Sequence, residues 1–251
     1  MFAKAARIIQ NARSVVVFTG AGISVESGIP PFRGNDGLWT KYDPSFLDIS
    51  RFNSDPKSSW VLIKEIFYDF WGQAEPNAAH KSIAVLEEHG MVDTVVTQNI
   101  DNLHQAAGSK RVWEFHGTLR VLSCMSCSKR VNAADVDFES LPPKCSCGGI
   151  LKPDFVFFGE PIPEPANSES FRSAENADAV IVIGTAGEVM PACMIPYIAK
   201  RNGAAIIEIN THESLFTGQI TDVFLKGKAA EQTTLLLNAL NLDGDLEKKY
   251  A

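Results

Sequence analysis

Basic charge is scarce in this sequence: Lys and Arg number 23 against 30 Asp and Glu, for a formal net charge of −7. Phosphate-backbone binding needs clustered cations to displace counterions, so nucleic acid is not an expected partner. The dense basic clusters are short ones such as Lys129-Arg130. Long apolar runs are missing too. No stretch reaches the roughly 18 apolar residues of a membrane helix, and no secretion-signal core opens the chain, so no membrane contact and a cytoplasmic location are expected. Cysteine is sparse and uneven, with four of the five between Cys124 and Cys147. That distribution fits a metal site in a reducing compartment better than a disulfide framework, and leaves Cys193 as a small core residue. Internal repeats and low-complexity linkers are also lacking. A chain of 251 residues with 45% hydrophobic content can bury a substantial core. One α/β domain over 1–251, acting as a monomer, is therefore expected.

What is present has a regular rhythm. Short β-branched runs at 15–18, 94–97, 180–183 and 205–209 end in glycine or polar residues and predict buried parallel strands. Helical spacing from Ala3 to Ala12 and from His80 to Glu88 alternates with them. Such alternation predicts a doubly wound, Rossmann-like parallel sheet. Two stretches interrupt it: an aromatic-rich helical run from about Phe46 to Trp71, within an insertion placed at 35–80, and the cysteine segment, within an insertion placed at 120–150. Both are expected to lie over one edge of the sheet.

The first strand runs into Thr19-Gly20-Ala21-Gly22-Ile23-Ser24. Glycines there let backbone N–H groups approach a pyrophosphate, although a strand ending in a flexible turn reads equally well from these residues alone. The usual dinucleotide fingerprint needs a small residue where Val25 stands, and Gly28-Ile29-Pro30-Pro31 stops a regular helix. A hydride-transferring enzyme is thereby disfavoured. The strand at 94–97 delivers Gln98, Asn99 and Asp101 where open α/β sheets hold ligands. Amides suit sugar hydroxyls and a carboxylate suits carboxamide N–H groups, while capping of the next segment is the plainer alternative. His116 follows Val112–Phe115 and precedes Gly117, at another strand end. A neutral imidazole there can take a proton from a hydroxyl, or serve structure alone.

Cys124-x-x-Cys127 and Cys145-x-Cys147 are spaced for a tetrahedral zinc–thiolate site closing a small ribbon. Four protein ligands leave no open position, which makes such a metal structural. The second pair departs from the usual C-x-x-C and is followed by Gly148-Gly149. A nucleic-acid-binding ribbon is the competing reading, weakened by Asp135, Asp137 and Glu139. The extended run from Leu151 to Pro161 is fenced by prolines and suits a sheet edge, where a peptide can add as a further strand. Val156 and Phe157 are then expected to line a slot for a lysine stem; an ordinary buried strand is the alternative.

Taken together, Gly20 to Ser24 with Gly28 to Gly34, Thr97 to His104, Phe115-His116-Gly117, the four cysteines, Val156 to Glu160, Gly184-Thr185 and Ile209-Asn210 resemble the sirtuin family over nearly the whole chain. The resemblance implies an NAD-dependent deacylase of protein lysines, with NAD as co-substrate, a structural Zn²⁺, and acyl-lysine proteins or peptides as partners. It implies Gly20, Ala21 and Gly22 at the phosphates, Phe32 over the nicotinamide pocket and Arg33 on the phosphate or ribose side. Gln98, Asn99, Ile100 and Asp101 are implied at the ribose and nicotinamide, with Gly184, Thr185 and Asn210 toward the adenosine and Lys228 and Ala229 beside the adenine. His116 is implied as general base, with Asn99 also catalytic. Val156, Phe157, Phe158 and Gly159 are implied to hold the peptide opposite Glu188 and Val189.

The implied mechanism begins with attack of the acyl oxygen on the ribose carbon that loses nicotinamide. His116 then helps a ribose hydroxyl attack the acyl-imidate, and water releases lysine and O-acyl-ADP-ribose. Relatives that prefer succinyl or malonyl groups carry Tyr-x-x-Arg in the helical insertion, yet no arginine occurs from Phe52 to Lys110. The two possible registers give Ile63 and Ile66, or Lys64 and Phe67, so neutral acyl groups are expected. Pro31, Ala106 and Ala186 depart from the family pattern, each removing a hydrogen-bonding side chain. Protein mono-ADP-ribosyl transfer and an NAD-sensing module are the rival activities; Gln98, Asn99, Asp101 and His116 speak against the second.

Overall fold

The computed structural model describes residues 1–34, 37–69 and 72–250, apart from the side chain of Glu247. Its strands are β1 (Val15–Thr19), β2 (Thr94–Thr97), β3 (Val112–Glu114), β4 (Gly117–Cys124), β5 (Arg130–Asn132), β6 (Leu151–Phe155), β7 (Ala179–Ile183), β8 (Ala205–Asn210) and β9 (Val223–Lys226). Six of them form a parallel sheet in the order β3-β2-β1-β7-β8-β9. The expected doubly wound sheet is the one found.

Strand periodicity divides the core. Val15, Val17, Val95, Ile181 and Ile207 face the helices Phe2–Asn11, Ala78–Glu88 and Ala229–Ala239. Their neighbours Val16, Phe18, Val96, Val180 and Ile206 face the helices Ala166–Glu175 and Met194–Arg201. Because helices cover both faces, successive residues are apolar, which is why the runs look continuous rather than alternating. The chain leaves β1 toward β2 and β3, then returns to β7 on the other side of β1. That reversal opens a crevice beyond the carboxyl ends of β1 and β7.

The two insertions pack against each other rather than lying separately. A three-stranded antiparallel sheet, β5-β4-β6, supplies Leu122, Leu151, Phe155 and neighbouring Phe157. The helices Ile49–Ser54 and Pro56–Ile63, with a π-helical turn at Lys64–Tyr68, supply Phe52, Trp60, Ile63 and Tyr68 to the same core. Trp60 Nε1 donates to the Leu151 carbonyl at 2.9 Å, and the Tyr68 hydroxyl to that of Leu119 at 3.1 Å. The aromatic run expected to extend to Trp71, and the insertion boundary at 35, end outside the described residues.

One polar group inside the main sheet braces the crevice. Glu208 of β8 is fully buried and accepts hydroxyl protons from Ser214 (2.6 Å), Thr217 (2.8 Å) and Thr221 (2.6 Å). The loop so gathered sends the Leu215 N–H to the Ala186 carbonyl and lays the Phe216 ring on Gly187, where an added Cβ would sit 2.9 Å from ring carbons. Removing the acceptor strands three partly buried hydroxyls. Glu208→Ala is expected to destabilise the fold by roughly 2–4 kcal/mol. Unchanged urea denaturation would refute that assignment.

Candidate active site

Glycine is imposed at the crevice by the approach of two loops. The Gly20 N–H bonds the Ile183 carbonyl at 3.0 Å, and the Gly22 N–H bonds that of Gly184 at 2.8 Å. A Cβ on Gly22 would lie 2.6 Å from Gly184 Cα, and one on Gly184, whose φ is +63°, 2.4 Å from the Ile23 nitrogen. Side chains cannot enter so tight a contact. Beyond it, Ala21–Ser27 form a 3₁₀ turn that stops at left-handed Gly28, where the sequence predicts the stop.

Behind this turn lies a buried polar network. Asn99 Nδ2 donates to the Gly20 carbonyl and to Ser24 Oγ, each at 3.2 Å. Ser24 Oγ donates to Asp101 Oδ2 at 2.7 Å, while Oδ1 accepts the Leu103 N–H at 3.0 Å. The capping reading of Asp101 therefore holds for one oxygen, while Ser24 holds the other. Burial raises this carboxyl above its ordinary range, against the pull of the Leu103 and Ser24 donors. His104 Nε2 lies 2.9 Å from Thr19 Oγ1, which also donates to Thr97, so His104 braces the end of β1. His80 stands edge-on to His104 at 4.9 Å, and burial pushes it down to about 4. Burial pushes His104 down as well, with His80 beside it adding to the effect. Ser24, His80 and Thr19 carry no expected role from sequence; their only signal is polarity among buried apolar neighbours.

His116 stands at the end of β3 beside this network. Its Nδ1 lies 3.0 Å from the Gln98 carbonyl oxygen. A carbonyl only accepts, so Nδ1 carries the proton and the lone pair sits on Nε2. Burial lowers the imidazole below its ordinary value, opposed by that bond to Gln98. Gln98 Nε2 in turn reaches Thr185 Oγ1 at 3.2 Å, and Asn210 Nδ2 donates to the Thr185 carbonyl at 3.0 Å. Groups from β1, β2, β3, β7 and β8 thus meet in one continuous chain of contacts.

The remaining expected residues ring this centre. Phe32 packs on Trp39, with ring centroids 5.2 Å apart, and Arg33 pairs with Glu188 at 3.4 Å, both half exposed. Ile100 packs against the insertion core, and its carbonyl accepts the Leu119 N–H. Gly227, next to Lys228 and Ala229, donates to the Asn210 carbonyl. Val156 donates its N–H to the His116 carbonyl at 2.9 Å. Phe157 is buried, stacked on Phe155 and edge-on to Phe52, whereas Phe158 is 49% exposed beside Gly159. Val189 accepts the Cys193 N–H, and Cys193 itself is buried as expected.

The four cysteines converge. Their Sγ atoms lie within 4.8 Å of one another, with Cys124 to Cys147 at 3.5 Å, Cys127 to Cys145 at 3.8 Å and Cys127 to Cys147 at 3.4 Å. A tetrahedral Zn–thiolate site with bonds of about 2.3 Å spaces its sulfurs by roughly 3.8 Å, so the cluster fits zinc. N–H groups of Cys127 and Ser126 lower the Cys124 thiol, while at Cys127 the Lys129 N–H is outweighed by the neighbouring thiols, which push it up, as expected of sulfurs crowded together. The glycine pair explains the shortened second motif: Gly148 adopts φ +87°, and a Cβ on Gly149 would lie 2.7 Å from Cys124 Sγ.

Comparison with known proteins is unambiguous. A family model described as "Sir2 family" matches residues 20–191. A protein of Thermococcus kodakarensis named NAD-dependent protein deacylase is 46% identical over 245 residues, covering 94% of this chain and 95% of that protein. NAD-dependent protein deacylase 2 of Archaeoglobus fulgidus is 46% identical, covering 91% of each. Among solved structures, a Sir2 protein with a p53 peptide and NAD⁺ superposes with a TM-score of 0.88 at 35% identity, covering 95% of this chain and 98% of that one. Another, described as showing the mechanism and regulation of Sir2 enzymes, has a TM-score of 0.87 at 43% identity, with 96% and 97% covered.

Zinc occupancy is directly measurable. The purified chain is expected to carry about one Zn²⁺, and Cys145→Ser to lose it with a fall in melting temperature, because metal binding here is folding free energy. Metal-free protein from zinc-supplied cells, melting as the Cys145→Ser variant does, would remove the structural-zinc reading.

Proposed function

The chain belongs to the Sir2 family, and from that premise we propose that it is an NAD-dependent protein lysine deacylase whose general base is His116. The observation that carries the reading is the bond from His116 Nδ1 to the Gln98 carbonyl. It leaves Nε2 bare for a hydroxyl proton at the place where the glycine turn, the polar trio and the Val156 segment meet. Bound NAD supplies a ribose carbon from which nicotinamide can leave, and is consumed as co-substrate.

The residues divide the work by chemistry. Gly20, Ala21 and Gly22 present backbone to the phosphates, and Arg33 offers a guanidinium to the same side. Gln98 and Asn99 address the nicotinamide ribose, Asp101 the carboxamide, and Phe32 with Ile100 keep water from that pocket. Gly184, Thr185 and Asn210 hold the adenosine half, with Lys228 and Ala229 at the adenine. A peptide runs between Val156, Phe158 and Gly159 on one side and Glu188 and Val189 on the other. Phe157 serves from inside the core.

Neutral acyl groups are the proposed cargo. At the two registers where relatives carry arginine, Ile63 is fully buried, Ile66 and Phe67 pack in the insertion core, and Lys64 is paired with Asp69. A carboxylated acyl chain would meet no available cation at these positions. We read 1–251 as one catalytic domain with insertions at 35–80 and 120–150, acting as a monomer. No helix among the described residues is long and apolar enough to cross a membrane. A cytoplasmic setting accords with the gathering of four of the five cysteines at one metal-type site, and the net acidity disfavours nucleic acid.

Incubation with NAD and an acetyl-lysine peptide is expected to yield free lysine peptide, nicotinamide and O-acetyl-ADP-ribose by mass spectrometry. His116→Ala is expected to lower kcat by about 10²–10⁴. Protein labelled with ADP-ribose in place of these products would favour transferase activity instead. Because burial lowers His116 from 6.5, kcat/KM is expected to hold steady down through that value and to fall only at lower pH, as the imidazole gains its proton. A decline already complete above it would contradict the assignment. Succinyl-lysine peptide is expected to turn over at least about tenfold more slowly than acetyl-lysine peptide; equal turnover would refute the neutral-acyl reading.

A further inference from the structure

Two charged residues bracket the peptide-facing segment and have no part in the chemistry above. Lys152 lies on β6, and Glu160 closes the turn after Gly159. Lys152 Nζ and Glu160 Oε2 meet at 2.9 Å with side chains only 12% and 24% exposed. The ammonium also donates to the carbonyls of Pro153 at 3.0 Å and Phe155 at 3.1 Å, and it sits 4.1 Å from the centre of the Phe157 ring. Three oxygen partners satisfy its three protons. Glu160 Oε2 has a second duty, accepting the Phe157 N–H at 2.8 Å.

The ion pair thus ties down main-chain groups of Pro153, Phe155 and Phe157 from the core side. The consequence appears in what the intervening residues have left. Val156 spends its N–H on the His116 carbonyl, and Phe158 its N–H on Leu47 while its carbonyl takes the Ile49 N–H. Glu160 N–H closes on the Phe157 carbonyl. Among the described residues, the Val156 carbonyl and the Gly159 N–H have no partner within the chain. An acceptor and a donor are therefore presented at the exposed edge, beside Phe158 and next to the base. An added extended peptide pairs through such groups.

We propose that Lys152 and Glu160 are positioning residues for the acylated substrate. By holding Phe157 inward and occupying its N–H, the pair leaves the Val156 carbonyl and Gly159 N–H to the incoming peptide backbone and fixes them relative to His116. The proposal rests on the deacylase reading. A lone stabilising ion pair would affect folding and NAD affinity alike, whereas a positioning pair acts on the peptide.

The test is steady-state kinetics of the full chain with NAD and an acetyl-lysine peptide, alongside calorimetric NAD binding, zinc content and melting temperature. Lys152→Met and Glu160→Gln are each expected to raise the peptide KM about tenfold, with kcat and NAD affinity within about twofold of wild type. Because the two act as a unit, the double variant is expected to be no worse than either single one. Should these variants lose zinc or fail to fold, Glu160→Asp, which keeps the charge but retracts it, is expected to show the same split at smaller size. An unchanged peptide KM in a folded variant, or an equal loss of NAD affinity, overturns the positioning role alone. A wild-type chain that releases no nicotinamide with the peptide overturns the deacylase reading and this proposal with it.

Discussion

The contact between Gly22 and Gly184, where neither residue has room for a side chain, is the constraint on which the site depends. It lets the loops after β1 and β7 touch at the point where the sheet's strand order reverses. Only with those loops in register can Asn99 reach the Gly20 carbonyl and Gln98 reach Thr185. His116 is then oriented through the Gln98 carbonyl, not through a carboxylate. Burial, working against that bond, favours the uncharged imidazole, which suits a base beside a centre that develops positive charge.

The insertions matter because they carry the other half of the cleft. A core built from one small sheet and two short helices is marginal by itself, and four thiolates around a metal are a common means of closing such a module. Here the cysteine knuckles cap β4 and the strand pair it forms with β6, whose far ends lead to His116 and to Val156. Metal-dependent order in this module therefore bears on the substrate edge as well as on its own folding. Trp60 and Tyr68 extend the coupling to the helical insertion by bonding to backbone on both sides of the ribbon.

Much of this was legible beforehand because strand ends and glycine turns have local signatures. The sheet's class and the cysteine quartet follow from short motifs with a physical motive, whereas the glycine turn, the polar trio and His116 took their expected roles from the family resemblance. Less visible were β9, whose four residues lack the β-branched run of the central strands, and the common core of the two insertions, which are far apart in the chain. Phe157, expected from sequence to line the slot, is buried in the insertion core, because alternation along an edge strand does not say which side is covered. Lys152, Glu160 and Glu208 read as ordinary charges until their partners are seen.

The order of residues alone determined which chemistry was available, since a glycine, a carboxamide, an imidazole or a thiol carries its capability wherever it stands. Tertiary structure decided which atoms were free to use it. The bare nitrogen of His116 and the main-chain groups of Val156 and Gly159, unpaired among the described residues, are set by hydrogen bonds to residues distant in sequence. Hydrogen bonding is directional and short-ranged, so such assignments exist only once the partners lie within about 3 Å of one another.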